Sequence, residues 1–327
     1  MNTLKTISCI VLLTIYLTSC ESLVTDIPPS KLPQIESKLV INSIISPQLP
    51  FINVIVSESA PMFNGAGAVE KSLDNATVLI SDGINEMQIP YDSANKIYSL
   101  PQSQFPIVPS KKYVLTVSDG KRNVSAECTV PGKVPVIKSY AFDTLLILSS
   151  IYQNIDPLNK DSAITLNIAW QDIPSDTNNY KVHALIDFDY NVAAPKLNGV
   201  FVEKRIVVQH KFNWRWRTEK NEILSDNHLN GAILNSPVGK VNLPQQSERT
   251  NKDGSKVIVY PNTKIKEVLM SVFNIDINYY KYQRSLEIRN SSDNPFAEPT
   301  LVYTNVKGGL GCFGAYNAAQ IKLTDPK

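Results

Sequence analysis

Tyr113-Val-Leu-Thr-Val-Ser-Asp-Gly-Lys-Arg-Asn-Val-Ser-Ala-Glu-Cys-Thr-Val130 is the stretch whose reading decides the fold. Tyr113, Leu115 and Val117 share one face, Asp119-Gly120 follows, and Val124, Ala126, Cys128 and Val130 resume the same period. A period of two puts alternate side chains on opposite faces of an extended chain, and Asp-Gly tolerates the positive φ that a tight turn demands. The stretch predicts a β-hairpin with one buried face. On that face Cys128 reads as an inward thiol, as free cysteines in strands commonly are.

The same period extends upstream. Ile52, Val54 and Val56 share a face, as do Val78 with Ile80, and Met87 with Ile89 and Tyr91. Roughly seven short strands over residues 37–133 predict an immunoglobulin-like β-sandwich, without the cysteine pair and tryptophan of antibody domains. Pro131-Gly132 and Pro135 mark its exit.

Downstream, residues 136–327 predict a larger mainly β domain, a second sheet or half-open barrel. Ile164, Leu166, Ile168 and Trp170 alternate, as do Tyr180, Val182, Ala184, Ile186 and Phe188; Val257 with Val259, and Val268, Met270 and Val272, supply further strands. Val200 to Trp216 reads as one long strand or a bent pair, with polar connections at 218–230 and 245–256. One helix interrupts the pattern near 276–289: Asp276 is a cap, Tyr279, Tyr282 and Leu286 form a stripe, and the polar run from Asn290 to Pro295 ends it. The fold class is therefore mainly β, a small sandwich followed by a larger β domain with one packed helix.

The first residues set the address. Ile7 to Cys20 follows Lys5 with an apolar run too short to span a bilayer and ends in Leu17-Thr18-Ser19-Cys20, a lipobox. Residues 1–19 are expected to leave as a signal peptide, with Cys20 the lipidated first residue of the mature chain, carrying diacylglycerol and palmitate. Residues 20–36, with Pro28, Pro29 and Pro33, form a tether. Removing 19 residues from 327 leaves 308, and removing Lys5 leaves 31 basic against 30 acidic residues. That balance offers nucleic acid no electrostatic footprint. The expected contact with a membrane is through the lipid.

Motif chemistry is sparse. With Cys9 in the signal and Cys20 lipidated, only Cys128 and Cys312 remain, too far apart in sequence for a zinc or thioredoxin-like pair. They are expected to stay unbridged, lying in different domains. His183, His210 and His228 have no ligand spacing, and no metal or other cofactor is expected. The acidic stretches Asp172 to Asp176 and Asp226 to Gly231 read as turns rather than calcium loops. No G-x-S-x-G elbow, P-loop or H-E-x-x-H occurs. The run Lys211-Phe-Asn-Trp-Arg-Trp-Arg217 is the one candidate ligand platform, through Trp214, Arg215, Trp216 and Arg217. A strand with aromatics inward and arginines outward predicts the same letters.

The segment Asn294-Pro-Phe, Asn305-Val-Lys-Gly-Gly-Leu-Gly311 and Phe313-Gly-Ala-Tyr316 carries a resemblance, together with the lipobox, Ala76-Thr-Val78, Tyr113 to Val117, Trp170-Gln-Asp172 and the Asp226 to Gly231 turn. The order of these motifs resembles the Bacteroidetes lipoproteins grouped as a domain of unknown function (four-two-four-nine). The resemblance implies an outer-membrane lipoprotein, often encoded beside a TonB-dependent receptor, with no catalytic residues to transfer. Gly308, Gly309, Gly311 and Gly314 imply close backbone approach or a bulged strand closing the second sheet. The expected function is a lipid-anchored binding or accessory module, partnered with a TonB-dependent receptor in nutrient uptake. The alternatives are a structural cell-surface protein and an enzyme of unrecognised type acting on an extracytoplasmic substrate.

Overall fold

The computed structural model describes residues 36–59, 71–148, 160–174, 177–196, 199–214, 222–226, 229–291 and 301–326. The signal segment, Cys20, nearly all of the tether, Arg215, Trp216, Arg217 and His228 lie outside the described residues. Lys38–Glu58 and Lys71–Lys327 make up one compact unit. The described chain is mainly β with one helix, and its sheets are open, with no closed barrel among the described residues. No helix among them is long and apolar enough to cross a membrane.

The first part runs β1 (Leu39–Ile45), β2 (Phe51–Glu58), β3 (Lys71–Ser72), β4 (Thr77–Ser81), β5 (Glu86–Gln88), β6 (Tyr91–Asp92), β7 (Ile97–Pro101), β8 (Lys112–Ser118) and β9 (Asn123–Thr129). The expected hairpin is β8–β9, with Tyr113 opposite Cys128 and Val117 opposite Val124. Asp119 closes its turn, one carboxyl oxygen accepting from the amides of Lys121 (3.0 Å) and Arg122 (2.7 Å), while Gly120 takes a φ of 83°. One sheet carries β1, β2, β7 and β6, with β3 on β2; the other runs β5-β4-β8-β9. Between them pack Leu39, Ile41, Ile52, Val54 and Val56 against Val78, Ile80, Tyr113, Leu115 and Val117, none more than 1 % exposed. Each such aliphatic side chain contributes about 1.5–3 kcal/mol relative to exposure. Met87, Ile89 and Tyr91, expected on one strand face, are divided: Met87 lies in β5 and Tyr91 in β6, in opposite sheets with Pro90 between them, and two-residue β3 shows no period, so more strands form than the sequence shows.

The second part runs β10 (Val136–Leu148), β11 (Lys160–Gln171), β12 (Asn179–Pro195), β13 (Phe201–Lys211), β14 (Ile223–Ser225), β15 (Ile233–Asn235), β16 (Gly239–Asn242), β17 (Ser247–Thr250), β18 (Lys256–Val259), β19 (Lys264–Ile275), α1 (Ile277–Ser291) and β20 (Leu310–Thr324). β12 is central, antiparallel to β13, β14 and β19. Facing it, β11 pairs with β10, β15 and β16. Ile164, Leu166, Ile168 and Trp170 of β11 pack on Tyr180, Val182, Ala184, Ile186 and Phe188 of β12. The strand expected over Val200 to Trp216 stops at Lys211. The Phe212 amide still donates to Ala184 O (3.0 Å), one rung further along β12, and Asn213 then bridges to Lys240 of β16, so the chain bends over toward the facing sheet. The stretches expected to be polar connections also hold short strands, β14 in the first and the β17–β18 hairpin across the second.

β20 joins the two parts. Leu310 to Ala315 pair in parallel with Val40 to Ile45 of β1, and Tyr316 to Thr324 pair antiparallel with Ile275 to Glu267 of β19. One sheet therefore runs from β13 through β12, β19, β20, β1, β2 and β7 to β6. Of the two roles expected of the glycines, close backbone approach or a bulged strand closing the second sheet, the first is found, and it lies beside β1. A Cβ on Gly309 would lie 2.7 Å from Leu39 O, and one on Gly311, whose φ is 101°, would collide with Ile41 O. The side-chain-free backbone is what lets β20 enter beside β1. Gly314 serves the other face, where a Cβ would meet Cβ of Tyr279 at 2.8 Å, so the glycine lets α1 lie close on β20.

Candidate binding cleft

Asp276 caps α1 as expected, accepting the Tyr279 amide at 2.9 Å. It does more than cap: the same Oδ1 accepts the Ala315 amide (3.2 Å), and the Asp276 amide donates to Ala315 O (2.9 Å). This fixes the helix N-terminus against β20 at the floor of a cleft of about 720 Å³. The ends of β8 and β9, the loop after β9, the start of β12, the end of β19 and the first turn of α1 all contribute to its walls.

Polar side chains reach the cleft where strand ends converge, and they share its walls with Cys128, Ile173, Ile275 and Ile277. Asn274 Nδ2 donates to Lys133 O (3.1 Å) and Asn178 Oδ1 (3.2 Å); Asn178 Nδ2 donates to Ile173 O (3.0 Å). Asn278 Nδ2 donates to Glu127 O (3.0 Å), and Asn278 Oδ1 accepts from Tyr303 Oη (2.8 Å). Lys112 and Glu127 form an exposed ion pair at 2.6 Å on the rim. Side chains held this way are pre-positioned, which lowers the ordering cost of binding.

Asp276 is 8 % exposed, and burial pushes its carboxyl up to about 6, against the lowering influence of the Tyr279, Ala315 and Thr129 amides. Cys128 and Cys312 are free, buried thiols. Distance along the chain does not separate them in space. Burial raises both, and the Asp276 charge raises both further, so neither offers a thiolate nucleophile at neutral pH.

The acidic stretches read as turns meet one another. Asp172 Oδ1 accepts from Tyr180 Oη (2.7 Å) and Oδ2 from the Gly231 amide (2.7 Å), while Asp226 Oδ2 accepts the Asn178 amide (2.9 Å). Both carboxylates are buried and hold the loop after β14 to the start of β12. Burial is the first reason that the Tyr180 hydroxyl is pushed far up, and Asp172 adds to it.

Trp214, the one platform residue that is described, is 2 % exposed and lies over Gly239, where a Cβ would meet its ring at 2.8 Å. It is tilted against Phe212 in the second core and presents no face to a ligand. Beside it a smaller cleft of about 420 Å³ is lined by His210, Lys211, Asn213 and Lys240. His183 lies apart, stacked on Phe273 at 5.6 Å. Among the described residues no group of three or more His, Cys, Asp or Glu is placed to hold a metal ion. The cleft asparagines carried no sequence signal, because Asn in a turn and Asn in a wall are the same letter. Asp276 carried one, as a cap.

A family model described as Domain of unknown function (DUF4249) matches residues 21–322, and the chain belongs to that family. No curated protein matches. Among solved structures, a chain titled "Biofilm associated protein - B domain" aligns over 88 % of this chain and 86 % of its own, at 8 % identity and a TM-score of 0.17. A likeness that low carries no argument about this chain.

Proposed function

We propose that this chain is a lipid-anchored outer-membrane lipoprotein acting as a binding or accessory module, and that the cleft above Asp276 receives a segment of a TonB-dependent receptor engaged in nutrient uptake. The observation that carries the binding reading is the cleft itself: wide, of mixed polar and apolar lining, and holding asparagines already fixed by hydrogen bonds to the backbone. Its lining contains carboxamides, hydroxyls and an ion pair, and its thiol is held protonated. That inventory, beside the apolar Ile173, Ile275 and Ile277, suits recognition of a peptide surface better than bond cleavage.

The anchor rests on Leu17-Thr18-Ser19-Cys20, and the receptor is nominated by the resemblance of the sequence to lipoproteins encoded beside such receptors. A lipid tether would hold both proteins at one surface, where effective concentration makes a weak interface sufficient. The test is purification of the tagged full-length protein in mild detergent. A TonB-dependent receptor should co-purify, and Thr177→Arg, which places a long cation at an exposed position of the cleft wall, should lower its recovery at least about tenfold. Equal recovery with the variant would remove the cleft from the interface. Hydrolytic turnover on a substrate panel, with no receptor recovered, would replace the reading with an enzymatic one.

A further inference from the structure

Asp276 stands where β20 changes partner. Ala315 is the last residue of β20 paired with β1, at Ile45, and Tyr316 is the first paired with β19, at Ile275. The carboxyl is shared unequally: Oδ1 takes the amides of Tyr279 and Ala315, whereas Oδ2 is buried and makes no hydrogen bond of ordinary geometry among the described residues, the Thr129 amide of β9 acting on the carboxyl only as a looser neighbour. The groups facing it from each packed element are Cys128 and the Thr129 amide from β9, Cys312 from β20, Tyr279 from α1 and Tyr303 from the segment before β20. None of these is a cation. Lys112 and Lys133 line the same cleft, with Lys112 committed to Glu127 at 2.6 Å.

We propose that Asp276 is a proton-operated fastener, which holds α1, β9 and β20 together at the strand hand-over when neutral and loosens that junction when ionised. The physical cause is desolvation: burial of a carboxyl that no cation faces favours its neutral form, and outweighs the backbone amides that favour its charge. The proposal concerns the floor of the cleft assigned above to partner binding, and its test uses no ligand, so it stands or falls separately from that assignment.

The sign follows from linkage. A carboxyl whose folded-state value lies near 6, against an ordinary 3.8, contributes stability that is fully present below 3.8 and is lost as pH rises through 6. Between pH 5 and pH 8 this lowers the folding equilibrium constant about tenfold. His183 acts in the opposite sense over an overlapping range, because burial holds its value near 4. The decisive quantity is therefore the difference between the protein and Asp276→Asn, which keeps a capping oxygen and removes the charge.

Urea unfolding of the full-length chain in detergent, at half-unit steps from pH 5 to pH 8, measures it. The ratio of unfolding constants, protein over variant, should rise about tenfold across the range, and parallel profiles would overturn the proposal. Carbon-13 carboxyl titration of the aspartate-labelled protein decides the case in which the variant does not fold. One resonance, identified by its proximity to the Ala315 amide, should titrate with a midpoint near 6. A midpoint in the ordinary carboxylate range would overturn the proposal equally.

Discussion

The two parts of the molecule bury different chemistry. In the first, from β1 to β9, the buried polar residues among those described are the serines Ser43, Ser46 and Ser57; from Asp172 onward they include Asp172, Asn178, Asn179, Lys181, Asp226, Asn274 and Asp276. A core of aliphatic side chains and tyrosine tolerates neighbours of similar volume, so the first part is specified by pattern and volume. Buried carboxylates and amides tolerate only the geometry that satisfies them, so the second part is specified by pairing. The larger cleft opens where the two kinds of core meet.

The most damaging way to break this comparison is at the strand both parts share. Gly311→Val adds a side chain at a φ of 101° where even a Cβ collides with Ile41 O, and should cost on the order of 4–5 kcal/mol or abolish folding. Hydrogen exchange should show protection lost in β1 and β19 together; loss confined to β1 would mean that the two parts unfold independently.

Within the second core, Trp214→Ala should cost about 3–5 kcal/mol by denaturant unfolding, since the side chain is enclosed between Phe212 and Gly239. A melting temperature unmoved by that change would return Trp214 to the surface and restore the platform reading.

Pairing can be separated from volume at Asp172. Removing its carboxylate in Asp172→Ala strands the Tyr180 hydroxyl and the Gly231 amide, at a cost of about 1–3 kcal/mol for each buried group left unpaired. A volume-conserving Leu115→Met in the first core should cost less than about 1.5 kcal/mol. If the order reverses, the contrast between the two cores is wrong.

His183 sharpens the contrast by pH. Burial first, and then the charges of Lys211 and Lys181, lower it to about 4, so the unfolded chain binds the proton first. Stability from this group is present above about 6.5 and is lost as pH falls toward 4. Acidification from pH 7 to pH 5 should lower the unfolding midpoint of the protein more than that of His183→Gln.

The smallest effect belongs to the first part's surface. Arg122 pairs with Asp119 at 2.6 Å and Glu58 at 2.9 Å, partly exposed, and Arg122→Ala should cost about 0.2–1 kcal/mol, shrinking with added salt.

Much of the sandwich was legible because its information is local. Alternation from Tyr113 to Val117 and from Val124 to Val130, with Asp119-Gly120 between, determines a hairpin before anything packs on it. The helix was legible from its cap at Asp276, whereas of the expected stripe Tyr279 is buried and Tyr282 and Leu286 are half-buried. Of the two readings of Val200 to Trp216, one long strand or a bent pair, periodicity could not choose, because it persists through a bend: Phe212 and Trp214 stay inward although the strand ends at Lys211. Two-residue strands carry too few letters to show a period at all.

The sequence by itself determined the mainly β class, the Asp119-Gly120 turn, the inward faces of the long strands and the cap at Asp276, since each depends on residues within a few positions of one another. The tertiary structure alone decided that β20 would change partners at Ala315, that Asp172 and Asp226 would tie two distant turns together, and that two thiols 184 positions apart would face one carboxyl. These are long-range placements, settled by which backbone can pass beside which: at Gly309 and Gly311 the missing side chains let β20 in, and everything at the cleft floor follows from where that strand lies.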